Sequence, residues 1–167
     1  MQRQEEYVLR TVEERGVRFI RLWFTDILGF LKSFAITPPE LESAFAHGMR
    51  FDATAIDGFS RDQESDKLAK PDPTTFQILQ WCDCEARVAM MFCDIVTPDG
   101  ESFRGDPRWV LRRNLEKAHQ QGYTFYVGPE VEYFYFADSG PAPQILDRGG
   151  YFDLTPLDVA QEYRRST

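Results

Sequence analysis

Residues 87–96 read RVAMMFCDIV, an apolar run that lacks the alternation of a half-exposed strand. A strand that is apolar on both faces must be covered on both, so this segment predicts the central strand of a sheet. Pro98, Asp99 and Gly100 end it. The rest of the chain has to close over it. Residues 17–24 (VRFIRLWF) and 30–37 are dense in β-branched and aromatic side chains, and the turn Asp26-Ile27-Leu28-Gly29 between them predicts a β-hairpin. Residues 75–81 and 123–136 read as two further strands.

Helix signals fall between the strands. Residues 5–15 carry acids early and Arg15 late, with Gly16 where a helix would stop. Thr37-Pro38-Pro39-Glu40 has the spacing of a capping box, opening a helix that should end near Gly48. The clearest helix starts at Asp106-Pro107, places Leu111, Leu115 and Ala118 on one stripe, and stops at Gly122. Thr155-Pro156 opens another signal close to the end of the sequence, which reads as stopping inside an element. Residues 50–73 show neither helical nor strand spacing and predict a long loop of the kind that carries function. Residues 137–150 form a second, Pro/Gly-containing loop.

Composition narrows the function classes. The 167 residues are 43% hydrophobic and 14% aromatic, enough to bury a real core and to make one domain or one and a half. An excess of 27 acids over 19 bases, with no basic cluster beyond Arg112-Arg113 and Arg164-Arg165, excludes a nucleic-acid partner. The charged start MQRQEEYVLR and the absence of an apolar run near about 20 residues predict no signal peptide and no membrane span. Cys82, Cys84 and Cys93 are an odd number, so reduced thiols and a cytoplasmic location are expected. Cys82 and Cys84 are too close for a zinc knuckle, and His47 and His119 sit in separate segments. Walker, Rossmann, GxSxG, HExxH and EF-hand patterns are missing.

Carboxylates remain as the candidate chemistry. In Gly128-Pro129-Glu130-Val131-Glu132-Tyr133 the two glutamates would share one face of a strand, about 7 Å apart. That separation suits two hard cations or one shared cation, although Glu-x-Glu on an exposed edge is also an ordinary solvent face. Asp52, Asp57, Asp62, Glu64 and Asp66 lie in the long loop, where acids most often serve solvation and turns.

Several segments taken together say more. RFIRLWFTDILGFLKSFAI, FDATAIDGF, ESD at 64–66, PDP at 71–73, RVAMMFCDI and GPEVEYFYF, in this order, resemble the amino-terminal part of a type I glutamine synthetase over nearly the whole chain. The resemblance implies an α+β fold: a β-grasp domain over residues 1–105, then the beginning of a catalytic α+β domain over 106–167. It implies an ATP-dependent ligase that phosphorylates the γ-carboxylate of glutamate and lets ammonia displace the phosphate. Two divalent cations, Mg²⁺ or Mn²⁺, would clamp the phosphates, and Glu130 and Glu132 match the family's first pair of metal ligands. Asp52 matches the aspartate that the family lends across a subunit interface to bind and deprotonate ammonium, and Asp66 matches a second acid of the same loop. The family's habit is a homo-oligomer of stacked rings, a dodecamer.

Two departures bear on these expectations. The family usually has two serines after the aspartate, whereas Ala53-Thr54-Ala55 stands here, so the second hydroxyl is missing at Ala55. An apolar residue there suits a larger nucleophile, which makes a γ-glutamyl-polyamine or amine ligase the alternative to ammonia use. The family's remaining metal ligands, ATP segments and glutamate-binding arginines have no counterpart in these residues, so the chain alone is expected to be inactive. A non-catalytic β-grasp module that docks on a full-length partner through the Asp52 loop is a third reading. An isolated carboxylate metal protein is a fourth, and calorimetry separates it. Two glutamates compete poorly with water, so titrating the purified chain with Mn²⁺ is expected to show no tight binding. A strong saturable isotherm would establish the fourth reading.

Overall fold

The computed structural model describes residues 2–54, 56, 66–80, 87–154 and 156–166. Its elements are α1 (Gln2–Glu14), β1 (Val17–Thr25), β2 (Leu31–Ile36), α2 (Leu41–His47), β3 (Met49–Asp52), β4 (Asp66–Pro71), β5 (Gln77–Leu79), β6 (Arg87–Val96), α3 (Pro107–Gln120) and α4 (Gln161–Ser166). By internal contacts the chain divides into two units, Met1–Phe125 and Tyr126–Thr167, and each is described on its own. Together they make the expected α+β protein.

In the first unit the strand order is β2-β1-β6-β4-β3, with β5 also against β6. β6 is central, as its two apolar faces require. β1 runs parallel to it from Val17 opposite Arg87 to Trp23 opposite Phe92. On the other edge β4 and β5 run antiparallel to it in succession, β4 against residues 93–96 and β5 against 88–90. A 3-10 turn, Pro73–Thr75, separates the two and is capped by Asp72, whose carboxylate accepts the Thr74 N–H at 3.0 Å. The ladder survives the interruption. Phe92 donates its N–H to the Thr75 hydroxyl at 2.8 Å, and its carbonyl accepts the Asp72 N–H at 2.8 Å.

Alternate residues of β6 enter different cores. Ala89, Met91, Cys93 and Ile95 join Ile20, Leu22 and Phe24 under the helices, where Val8 and Val12 of α1 and Leu41, Ala44 and Phe45 of α2 close the cluster. Val88 and Met90 face the other way, with Leu79, Trp23 and Phe92. Each fully buried side chain of this size contributes about 1.5–3 kcal/mol. Burial pushes the Cys93 thiol well above its ordinary range, so it acts as a small apolar side chain. Cys82 and Cys84 lie outside the described residues.

The hairpin turn is built around Asp26, whose side chain is 0% exposed. Its Oδ1 accepts the N–H groups of Leu28 at 3.0 Å and Phe30 at 2.9 Å, and its Oδ2 lies 3.1 Å from the Lys32 ammonium. Burial beneath the turn raises this carboxyl, but the Phe30 N–H, the Lys32 ammonium and the Leu28 N–H outweigh it and hold the group below its usual value. Gly29, at φ +85°, completes the turn in a conformation that a side chain would strain.

Several expectations need correction. The segment 50–73 is not a loop throughout: its two ends are β3 and β4, paired antiparallel. The strand pattern of β4 was hidden because its buried positions hold Lys67, Ala69 and Pro71, not large apolar side chains. Residues 123–136 form no ladder. Only Phe136 pairs, as a single bridge with Ile145, because among the described residues no strand lies alongside 123–135 to accept its hydrogen bonds. Val127, Val131 and Phe134 are accordingly exposed. Of the strand expected at 75–81, β5 covers Gln77–Leu79 and its start is delayed by the Pro73–Thr75 turn, while residue 81 lies outside the described residues. At the helix signal Thr155-Pro156 the described residues 156–157 form a turn, Thr155 itself lying outside the described residues, and α4 begins at Gln161 beyond Asp158, which pairs with Arg164. The Thr37 signal opens a 3-10 turn, Pro38–Glu40, that leads into α2. The α3 boundaries match the prediction, but Leu111 and Leu115 of its stripe are exposed. Among the described residues no helix is long and apolar enough to cross a membrane.

A carboxyl held below its unfolded value stabilises the fold above that value and loses the contribution as pH falls through the folded one. The Asp26→Asn variant is therefore expected to melt below the parent at neutral pH and to approach it as pH falls below the usual carboxylate range, as read by calorimetric melting at a series of pH values. A constant gap across the series would contradict the ion-pair account.

Candidate functional site

Four residues singled out in the sequence, Asp52, Asp66, Glu130 and Glu132, are all described in the structure. Asp52 and Asp66 come together. They are the last aligned pair of the β3–β4 ladder, directly opposite each other where the two strands part toward residues 57–65, which lie outside the described residues. Asp57, Asp62 and Glu64 fall in that stretch, and Ala55 is also outside the description.

The sequence around Asp52 fixes its direction. Gly48, at φ +76°, turns the chain from α2 into β3 so close to β4 that a Cβ would lie 3.2 Å from the Leu68 Cβ and 3.3 Å from the Ala69 carbonyl oxygen. β3 then alternates. Phe51 points inward onto Phe24 and Phe34, with ring centroids 5.0 and 5.8 Å away, and Ala53 is fully buried. Asp52 between them must point out.

The two opposed carboxylates have different partners. Asp66 Oδ2 pairs with Arg50 Nη1 at 3.0 Å, an exposed pair of modest strength that still offsets its charge. Asp52 Oδ1 accepts both the N–H of Thr54 at 2.9 Å and its hydroxyl at 2.7 Å. The N–H of Thr54, then its hydroxyl, hold the Asp52 carboxyl below the usual carboxylate range, so it is an anion at neutral pH.

Glu130 and Glu132 belong to the second unit, both exposed on the unpaired segment. Their carboxylates suit a hard cation such as Mg²⁺ or Mn²⁺ as two donors of a larger set. Among the described residues no group of three His, Cys, Asp or Glu side chains is placed to hold a metal, so they do not form a site by themselves. In the same unit, Asp147 accepts the N–H of Val159 at 3.0 Å, and Asp158 pairs in a fork with Arg164, one arm at 2.7 Å.

The sequence reading did not single out a second group of acids, next to β6. Asp106 is 1% exposed and joins sheet to helix, accepting the N–H of Ile95 at 3.0 Å and the N–H of Arg108 at 3.0 Å. Burial raises its carboxyl above the usual range despite these donors. Arg108 bridges Asp72 and Asp94, with 2.8 Å to the latter, and Arg112 adds a 2.9 Å contact to Asp94. The open cleft of about 740 Å³ above them is thus floored by acids that are already paired. In the sequence Asp72 and Asp94 fall within the PDP and RVAMMFCDI segments and Asp106 ahead of Pro107 marks a helix start, but no spacing shows that Asp72 and Asp94 share Arg108.

Two family models match the chain, "Glutamine synthetase, beta-Grasp domain" over residues 16–98 and "Glutamine synthetase, catalytic domain" over 104–167. A glutamine synthetase of Mycolicibacterium smegmatis is 53% identical over 170 residues, covering 99% of this chain. One from Thermotoga maritima is 50% identical over 163 residues, or 96% of the chain. The chain spans 38% and 37% of the length of these relatives. Among solved structures, a Plasmodium falciparum glutamine synthetase shares the fold at a TM-score of 0.65 and 22% identity, over 71% of this chain and 23% of that one.

The Arg108 junction gives a stability prediction. Arg108→Ala leaves Asp72 and Asp94 short of a partner and is expected to cost about 2 kcal/mol, since bonds to charged groups are worth roughly 1.5–3 kcal/mol and these are partly exposed. Urea unfolding at unchanged slope measures it. A midpoint equal to that of the parent would show the junction to be energetically idle.

Proposed function

The chain belongs to the glutamine synthetase family, and from that premise we propose that it supplies the acceptor-side acid and the first metal ligands of an ATP-dependent carbon–nitrogen ligase. The observation that carries the reading is the pairing of Asp52 with Asp66 at the end of the β3–β4 ladder next to the connecting residues, with one Asp52 oxygen left without a partner among the described residues. In the reaction ATP transfers its γ-phosphoryl group to the γ-carboxylate of glutamate, giving ADP and an acyl phosphate. The nitrogen of ammonia then forms the new C–N bond, the acyl C–O bond to phosphate breaks, and glutamine and phosphate leave.

Asp52 serves the second step. An exposed carboxylate that stays ionised attracts an ammonium ion and takes the proton that must leave before nitrogen can attack. Because its pKa is lowered, it is better at holding the cation than at keeping the proton, which favours passing that proton on. Asp66, compensated by Arg50, adds little charge opposite Asp52. Glu130 and Glu132 are the proposed ligands of Mg²⁺ or Mn²⁺, whose chemistry is to neutralise phosphoryl charge during transfer. The relatives at about half identity carry the glutamine synthetase name, so ammonia is the acceptor taken here over a larger amine. A cytoplasmic homo-oligomer, with the Asp52 hairpin lent to a neighbouring subunit, completes the proposal. The proposed domain limits are a β-grasp domain over 1–105 and the start of a catalytic domain from 106.

Grafting residues 1–167 in place of the matching segment of the Mycolicibacterium smegmatis relative allows a direct assay. Asp52→Asn in that hybrid is expected to lower kcat/KM for ammonium by about 100-fold or more while leaving the KM for ATP within about twofold, the scale of a lost proton acceptor. Unchanged ammonium kinetics would remove Asp52 from the reaction.

A further inference from the structure

The Asp52 carboxylate is asymmetric. Both hydrogen bonds from Thr54 end on Oδ1, the N–H at 2.9 Å and the hydroxyl at 2.7 Å, and neither reaches Oδ2. The acid is further constrained by its neighbours in sequence, since Phe51 is packed against two rings and Ala53 is fully buried. The opposed acid, Asp66, is held by Arg50 and does not compete for Thr54. A carboxylate gripped at one oxygen by two donors loses rotational freedom, and its other oxygen has no partner among the described residues.

We propose that Thr54 is a positioning residue for the acceptor step: by occupying Asp52 Oδ1 with both its N–H and its hydroxyl, it presents Oδ2 alone to one N–H of the incoming ammonium. This deepens the ligase reading and rests on it. The Thr54 hydroxyl gives its proton to Asp52, so at the carboxylate itself Oδ2 is the oxygen that no described residue occupies. Pre-orienting that oxygen removes a rotational cost that the ammonium complex would otherwise meet. The double donation also keeps the acid ionised.

The test uses the chain itself. Asp52 is followed by carbon-13 carboxyl NMR through an acid titration of the parent, Thr54→Val and Thr54→Ser, with circular dichroism to confirm the fold. Thr54 is exposed, so the substitutions probe the bond and not the core. Thr54→Val removes the hydroxyl at nearly constant volume and is expected to raise the Asp52 midpoint by at least about half a pH unit, while Thr54→Ser stays with the parent. In the hybrid enzyme the same Val substitution should raise the KM for ammonium about tenfold with a smaller change in kcat, and Ser should restore it. An Asp52 midpoint that ignores Thr54→Val, or that moves equally in Thr54→Ser, overturns the proposal. The titration does not depend on turnover. If Asp52→Asn alters ammonium kinetics and the Thr54 variants do not, only the positioning role fails. If Asp52→Asn is silent, the ligase reading of this site fails, whatever the titration shows.

Discussion

β6 has a hydrogen-bonding neighbour on each side, and most of the first unit is arranged to meet that need. β1 occupies one edge in parallel, which requires the chain to travel through β2, α2, β3, β4 and β5 before returning. The other edge is shared by β4 and β5, two short strands separated by a 3-10 turn. Their continuity rests on Phe92, whose N–H goes to the Thr75 hydroxyl and whose carbonyl takes the Asp72 N–H. A side chain replaces a backbone group at the one rung the turn would have broken. The position of β4, and with it the place where β3 ends at Asp52, follows from that join.

Aspartate does three kinds of work in this unit, and the surroundings decide which. Asp26 is enclosed by its own turn and charge-balanced by Lys32, so it is ionised and structural. Asp106 is buried between sheet and helix with only N–H donors, and desolvation raises its carboxyl even as those donors stabilise it. Asp52 is exposed, ionised and half-satisfied, a combination that costs little to keep in water and leaves an oxygen for a ligand. The chemical group is the same in all three. The availability of an unpaired oxygen at the surface sets Asp52 apart.

The candidate site was legible in the sequence only in part. The FDATAIDGF and ESD segments pointed to Asp52 and Asp66, but no periodicity showed that the two are cross-strand partners, because β4 buries Lys67 and Ala69 where an apolar pattern would be looked for. The Thr54 contacts with Asp52 were equally hidden. A two-residue step says nothing about which oxygen receives the bond until the backbone turn is known. Glu130 and Glu132 were legible as a pair, yet the strand that would place them on one face is unpaired among the described residues.

Local rules were enough for the elements that stand on their own residues. Residues 87–96 could only be a central strand, Asp26 to Gly29 could only turn, and Asp106-Pro107 to Gly122 could only enclose a helix, since each depends on side chains within one or two turns of chain. Tertiary structure alone decided what depends on residues far apart: the antiparallel seating of β4 on β6, the opposition of Asp52 and Asp66, and the Arg108 bridge between Asp72 and Asp94. A strand and an ion pair are completed by a partner, and the partner's place is set by the packing of the whole sheet and not by the spacing of the residues that need it.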